Sequence, residues 1–256
     1  MQPVTPALAR CAGFVVALAC LPVAAASPAG AAGCVFESQG EGRVTVVIDE
    51  RTFRLSDGRE VRLAGVEPVA GHKAGGTAAL AAIVAGREVT LSGDDDTPDR
   101  YGRQPAFVFL PGSDTPVQAV LVAQGKALVS ADVTDKDCIA TLFAAEAEAR
   151  RGRRETWADP AAIKNAAGIG RFAVVEGRVL SVRQAGGTTY LNFGRNWTQD
   201  FAVTISRRVA ATLEAAGIGL KSLERRRIRV RGWVEARGGP RIEVLRAAQI
   251  ELPGGN

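Results

Sequence analysis

Apolar and polar residues alternate with a period of two over Arg43–Leu55 and Arg59–Ala64, and the turn sequence Ser56-Asp57-Gly58 lies between them, so the pattern predicts a hairpin. The period then changes. Gly75–Ala85 is alanine-rich and ends at Gly86, which reads as a helix. Glu88–Ser92 reads as a strand, Asp94-Asp95-Asp96 as an acidic loop and Pro105–Leu110 as another strand. Val117–Gln124 is a short helix stopped by Gly125, and Lys126–Ser130 returns as a strand. A long alanine-rich helix runs from Cys138 to about Arg153, with Asp137 as its cap. Strands with glycine-marked bends, followed by helices on one side, suit a small closed barrel of the OB type.

The pattern repeats in kind after Ala158–Gly170, which contains Asp159-Pro160 and reads as a linker. Phe172–Val182, Thr188–Phe193, Phe201–Ile205, Arg227–Val234 and Arg241–Val244 read as five strands, with a helical segment Arg207–Ala216 before the fourth. That is again the OB plan, with Gly232 and Trp233 at an expected barrel bend and Trp233 in the core. The predicted class is therefore mainly β (α+β), with two OB-fold-like five-stranded barrels in tandem. The first occupies residues 34–157 and carries added helices. The linker spans 158–170, and a basic barrel spans 171–256.

Composition changes this picture at the N-terminus. Arg10 precedes an apolar run from Ala12 to Ala26 and small residues follow, the pattern of a secretory signal peptide over residues 1–33. The alternatives are an uncleaved membrane anchor, or a lipid on Cys20 or Cys34. A leader of this kind predicts a secreted or periplasmic protein with no integral membrane span in the mature chain. Its removal leaves Cys34 and Cys138, an even pair in an oxidising compartment, expected as a disulfide with two independent buried thiols as the alternative. His72 is the only histidine and no CxxC occurs, which argues against zinc. Charge is unevenly divided. Residues 34–157 hold 15 basic and 19 acidic side chains, net −4, whereas residues 168–256 hold 15 and 7, net +8. Attraction to a polyanion belongs to the second half.

The candidate chemistry lies in the first. Val47-Ile48-Asp49-Glu50-Arg51-Thr52-Phe53-Arg54-Leu55, the Val61-Arg62-Leu63-Ala64-Gly65-Val66-Glu67-Pro68 strand, the turn Asp99-Arg100-Tyr101-Gly102-Arg103, and Glu146-Ala147-Glu148-Ala149-Arg150 ending at Trp157 together resemble the staphylococcal nuclease (thermonuclease) family. The resemblance implies an OB barrel with helices and hydrolysis of phosphodiesters in DNA or RNA, single- or double-stranded. It implies a Ca²⁺ ion held by two aspartates, two arginines that clamp the phosphate, and a glutamate that activates water. On those positions Arg62 and Arg103 are the catalytic arginines, with pairing to Glu67 or Asp99 in buried ion networks as the alternative, and Glu67 stands at a calcium aspartate, as metal ligand or as base. Asp49 is the other candidate ligand, because the expected second aspartate is Arg51. The expected water-activating glutamate is Ala70. These departures predict an impaired or altered metal site. Asp94, Asp95, Asp96 and Asp99 offer a different cation site beside Arg103, or a solvated loop.

For nucleic-acid contact the candidates are Tyr101, Arg100, and the run Arg225-Arg226-Arg227. In the second barrel Tyr190, Phe193, Trp197, Phe201 and Trp233 interleave with Arg183, Arg195, Arg229 and Arg231, the mixture that binds single strands on OB folds unless the aromatics face the core. Three readings follow. The protein is a phosphodiesterase with a divergent site, a catalytically inactive envelope protein that binds nucleic acid or another polyanion, or a protein-interaction module using the vacant cleft.

Overall fold

The computed structural model describes Met1 and residues 36–158, 168–196 and 199–253. Every element below belongs to one compact unit within Ala32–Asn256. The expected leader, Cys34, Trp197 and residues 159–167 of the expected linker lie outside the described residues.

The elements of the first half are β1 (Glu37–Asp49), β2 (Thr52–Leu55), β3 (Glu60–Leu63), β4 (Val66–Pro68), α1 (Lys73–Val84), β5 (Glu88–Gly93), β6 (Arg103–Phe109), α2 (Val117–Ala123), β7 (Ala127–Val129) and α3 (Lys136–Arg151). Strands β1-β2-β3-β6-β5 close into a barrel, with β3 and β6 parallel. Alternation decides what fills it: Phe53, Leu55, Val61, Leu63, Leu91 and Val108 point inward and are buried, and Leu121 of α2 and Leu142 of α3 join the same core. The strand expected across Arg43–Leu55 is broken by a turn at Glu50 and Arg51. There the Asp49 carboxylate accepts the Arg51 amide at 2.9 Å, a local bond that ends the ladder. The cap of α3 is Asp135 rather than Asp137, because Asp135 has extended backbone and its carboxylate accepts from the Asp137 and Cys138 amides. Asp137 sits in the first turn.

The second half comprises β8 (Phe172–Arg178), β9 (Ser181–Ala185), β10 (Thr188–Asn192), β11 (Ala202–Ser206), α4 (Arg207–Ala215), β12 (Arg227–Ala236), β13 (Pro240–Val244) and β14 (Ile250–Glu251). They form one sheet in the order β14-β12-β13-β11-β10-β9, with β8 also paired to β12, consistent with an OB-like barrel. The first expected strand is two. The Val179 amide donates to the Arg226 carbonyl and the Leu180 amide to the Asn192 carbonyl, so the chain changes neighbours there. Strand β12 passes from β8 to β13 after Trp233. The bend requires the Gly232 beside it, since a Cβ there would lie 2.6 Å from Ile242. Trp233 is not in the core. Even-numbered residues of β12 face inward, so Trp233 faces out, 51% exposed and edge-on to Phe172.

The outer side of β8 and β12 packs on the first barrel. Phe172 and Val174 share an apolar cluster with Val69, Leu128, Ala149 and Trp157. Beside it Arg231, fully buried, donates to Glu146 at 2.7 and 3.0 Å and to the Val129 carbonyl at 2.9 Å, while the Val129 amide donates to Glu146. Glu251 and Arg150 complete the network. Burial works against the Arg231 charge, but Glu146 and Glu251 outweigh it and raise its pKa. Among the described residues no helix is long and apolar enough to cross a membrane.

Candidate functional site

Three short elements converge at one end of the first barrel. The β1–β2 turn presents Arg51, β3 presents Arg62, and β4 presents Glu67. The cross-strand pair Thr52–Arg62 and the bond from the Leu63 amide to the Arg51 carbonyl fix the first two. Glu67 faces Leu128 across the β4–β7 ladder, whose outer edge the Arg231–Glu146 pair satisfies. Between β3 and β4 the chain turns at Gly65, where φ is +75°. A Cβ there would come within 2.7 Å of Val133 and 2.9 Å of Leu142, so only glycine allows this approach.

Glu67 is 4% exposed and both of its oxygens are engaged. Arg51 Nη1 closes on one in a short ion pair, and Arg62 Nη2 donates to the other at 3.2 Å. Arg51 also reaches the Val66 carbonyl at 3.5 Å. Burial raises the Glu67 pKa, against the pull of Arg51 and then Arg62, and the Arg62 pKa is lowered by burial and by the charge of Arg51. Arg103 is held separately. Its Nε and Nη2 donate to one oxygen of Asp99 at 3.0 and 2.7 Å. Burial opposes ionisation of Asp99, yet the hydrogen bonds from Arg103 and from the Arg103 and Tyr101 amides bring its pKa down to about 2. Tyr101 is 67% exposed, with Arg100 and Arg103 guanidinium groups 4.9 and 5.0 Å from its ring centre.

A calcium ion does not fit this donor set. Calcium takes six to eight oxygens, whereas the Glu67 carboxylate is committed to two guanidinium groups, and the Arg51 side chain lies where a ligand is needed. One oxygen of the Asp49 carboxylate accepts the Arg51 amide, while Glu67 is taken by the Arg51 side chain. Among the described residues no group of three or more His, Cys, Asp or Glu side chains is placed to hold a metal. The acidic loop makes no second cation site either. Asp94 bonds the Thr134 hydroxyl, Asp95 accepts the Thr97 amide, and Asp99 belongs to Arg103. Ala70 carries no group able to activate water, and His72 is exposed, its ring 3.2 Å from the Ala70 carbonyl oxygen.

The 320 Å³ cleft beside Arg62 is lined by Asp94, Asp95 and Asp132 as well as by Phe36, Phe107 and Val133. Three carboxylates against one already paired arginine make it a poor seat for a phosphodiester. The arginine run lies elsewhere. Arg225, Arg226 and Arg227 are exposed at the start of β12, stapled to the β8–β9 break by bonds between Arg225, Arg226 and Val179. Of the aromatic candidates, Phe193 and Phe201 meet edge-to-face against the core, and Tyr190 is half-buried on the outer face of β10. Arg229 and Arg231 are not surface groups: both are spent on glutamates. The Arg231–Glu146 pair is what sequence reasoning missed, although the outward parity of Arg231 in β12 was visible.

Residues 61–159 match the family model described as staphylococcal nuclease homologue, a span that includes Arg62, Glu67, Arg103 and Glu146. No curated protein matches the chain.

Proposed function

For a chain that carries a staphylococcal nuclease homologue domain, we propose a nucleic-acid-binding function in which the nuclease barrel serves as scaffold and not as a metal-dependent hydrolase. The observation that carries this reading is the Arg51 guanidinium on Glu67. A resident cation on a covalent tether neutralises the carboxylate that metal would need. Arg103 is closed on Asp99, and Arg62 spends Nη2 on Glu67 and keeps only a buried Nε without a partner, so both are drawn to carboxylates of this chain and away from charge developing on a phosphate. The acidic cleft and the net −4 of the first half oppose entry of a polyanion there, and the net +8 of the second half attracts one.

Binding of this kind is driven by release of counterions. The affinity for a nucleic acid then falls steeply with salt, by about 10³-fold between 50 and 200 mM if roughly six phosphates are bound. Alanine at Arg225, Arg226 and Arg227 lowers the slope of log affinity against log salt by about one for each phosphate that is no longer neutralised. Fluorescence anisotropy of a labelled oligonucleotide measures both. An affinity that does not change with salt contradicts this reading.

A further inference from the structure

Extending that reading, on which it rests, we infer that the outer face of β9, β10 and β13 is a track for single-stranded nucleic acid, with Tyr190 as its base-stacking platform and Arg183, Arg195 and Arg241 as its phosphate-binding groups. Register places these groups. Arg183 of β9 lies directly across from Tyr190 of β10, and two residues along the same face Ser181 lies across from Asn192. Asn192 in turn faces Ala202 of β11, which faces Arg241 of β13. Val203 and Ile205 of β11 point into the core, so the small Ala202 is what lies between Asn192 and Arg241 on the outside. A methyl group there leaves a trough.

Two hollows result, and they meet at Asn192. One, of 390 Å³, is bordered by Arg183, Asn192 and Arg195, and the other, of 240 Å³, by Tyr190, Asn192, Ala202 and Arg241. Together they run across the face from one arginine pair toward another cation. Arg183 and Arg195 are exposed. The Nε of Arg241 is buried with no hydrogen-bond partner among the described residues, a donor that folding leaves unmet. The one carboxylate on the border of the second hollow, Asp200, is turned to the Asn196 amide at 2.8 Å.

This arrangement suits a single strand over a duplex. Tyr190 has Arg183 directly across on β9, with Thr204 and then Glu243 on its other side and Arg241 in the neighbouring row, and a ring so placed can stack an unpaired base while Arg183 and Arg241 hold the flanking phosphates. In a duplex the bases are stacked on one another and only phosphates are offered. Asn192, between the two hollows, has a donor and an acceptor for a base edge or a sugar. The Arg225–Arg227 run borders neither hollow and contributes attraction without distinguishing the two forms.

The test uses the full chain and four probes: labelled oligo(dT) and oligo(rU) of about 15 nucleotides, chosen to span one OB fold, a duplex of the same length, and vesicles of anionic lipid. Tyr190→Ala is expected to weaken single-strand binding about tenfold, with the duplex affinity unchanged, because stacking is removed and charge is not. Tyr190→Phe keeps the wild-type affinity, and Arg241→Gln lowers the salt slope for the single strand by about one. Thermal denaturation shows that each variant is folded. Single-strand affinity unchanged in folded Tyr190→Ala or in Arg241→Gln overturns the track. So does binding of vesicles that matches the oligonucleotides. If the wild type binds oligonucleotides and only the Arg225→Ala, Arg226→Ala, Arg227→Ala variant fails to bind them, the track falls while the nucleic-acid reading stands. If the wild type binds no oligonucleotide, both fall.

Discussion

Arg231→Met lowers the free energy of unfolding by about 3–5 kcal/mol, the usual loss when one partner of a buried ion pair is removed. The cost arises on the other side of the pair. Glu146 is fully buried and Glu251 largely so, and without Arg231 they are left with Arg150, which reaches Glu251 at 3.5 Å, and with Arg229. The Val129 carbonyl loses its donor as well. Because Val129 belongs to β7, and β7 carries β4, the damage spreads to the strand that positions Glu67. Equilibrium urea unfolding followed by tryptophan fluorescence measures the loss. The variant Arg231→Met, Glu146→Leu recovers part of it, since an apolar pair leaves no unpaired charge. A single substitution that costs less than about 1 kcal/mol, within the range of exposed ion pairs, contradicts the burial of this network.

Arg51→Asp produces a calcium response that the wild type lacks. In the wild-type chain Arg51 is the cation that balances Glu67. The substitution replaces it with a carboxylate aimed at another carboxylate, with Arg62 as the remaining partner of Glu67. In chelator the variant melts below the wild type, because two like charges share a site that excludes water. Calcium binds the folded form and raises the melting temperature. At a concentration about 100-fold above its dissociation constant the gain is about 2.7 kcal/mol. The wild type melts at one temperature with calcium or chelator. Differential scanning calorimetry of both proteins in both buffers decides this, and a calcium shift in the wild type contradicts the assignment of Arg51 to the metal's place.

Much of this was legible in the chain because strand alternation and glycine positions are local signals. The hairpin around Ser56-Asp57-Gly58, the helices at residues 75–85 and 207–216, and the strands on either side all lie where period and turn residues put them. Arg62, Glu67 and Arg103 stand out from residues close in sequence, and the first two do meet. What pattern alone left open were the pairings between distant parts. That Arg51 would turn onto Glu67 depends on the break after Asp49, a local bond that alternation does not register. Trp233 was expected inside because it sits with Gly232 at a barrel bend, yet strand parity put it outside. Arg231 reads as an ordinary surface arginine until β12 is packed on the first barrel, 85 residues away from Glu146 along the chain. Short-range reasoning finds elements; it does not find the partner of a charge whose neighbour is far away along the chain.

The measurement that bears most directly on the whole account is cleavage of end-labelled single-stranded DNA and RNA by the full chain. It is followed on denaturing gels with calcium, magnesium, manganese or chelator, beside the variant Arg62→Ala, Arg103→Ala. The account predicts oligonucleotides that are bound yet remain full length in every buffer, with both proteins alike. Shortened products that appear with the wild type and disappear with the variant would contradict it, and would mean that Arg62 and Arg103 leave their carboxylates to serve a working hydrolase.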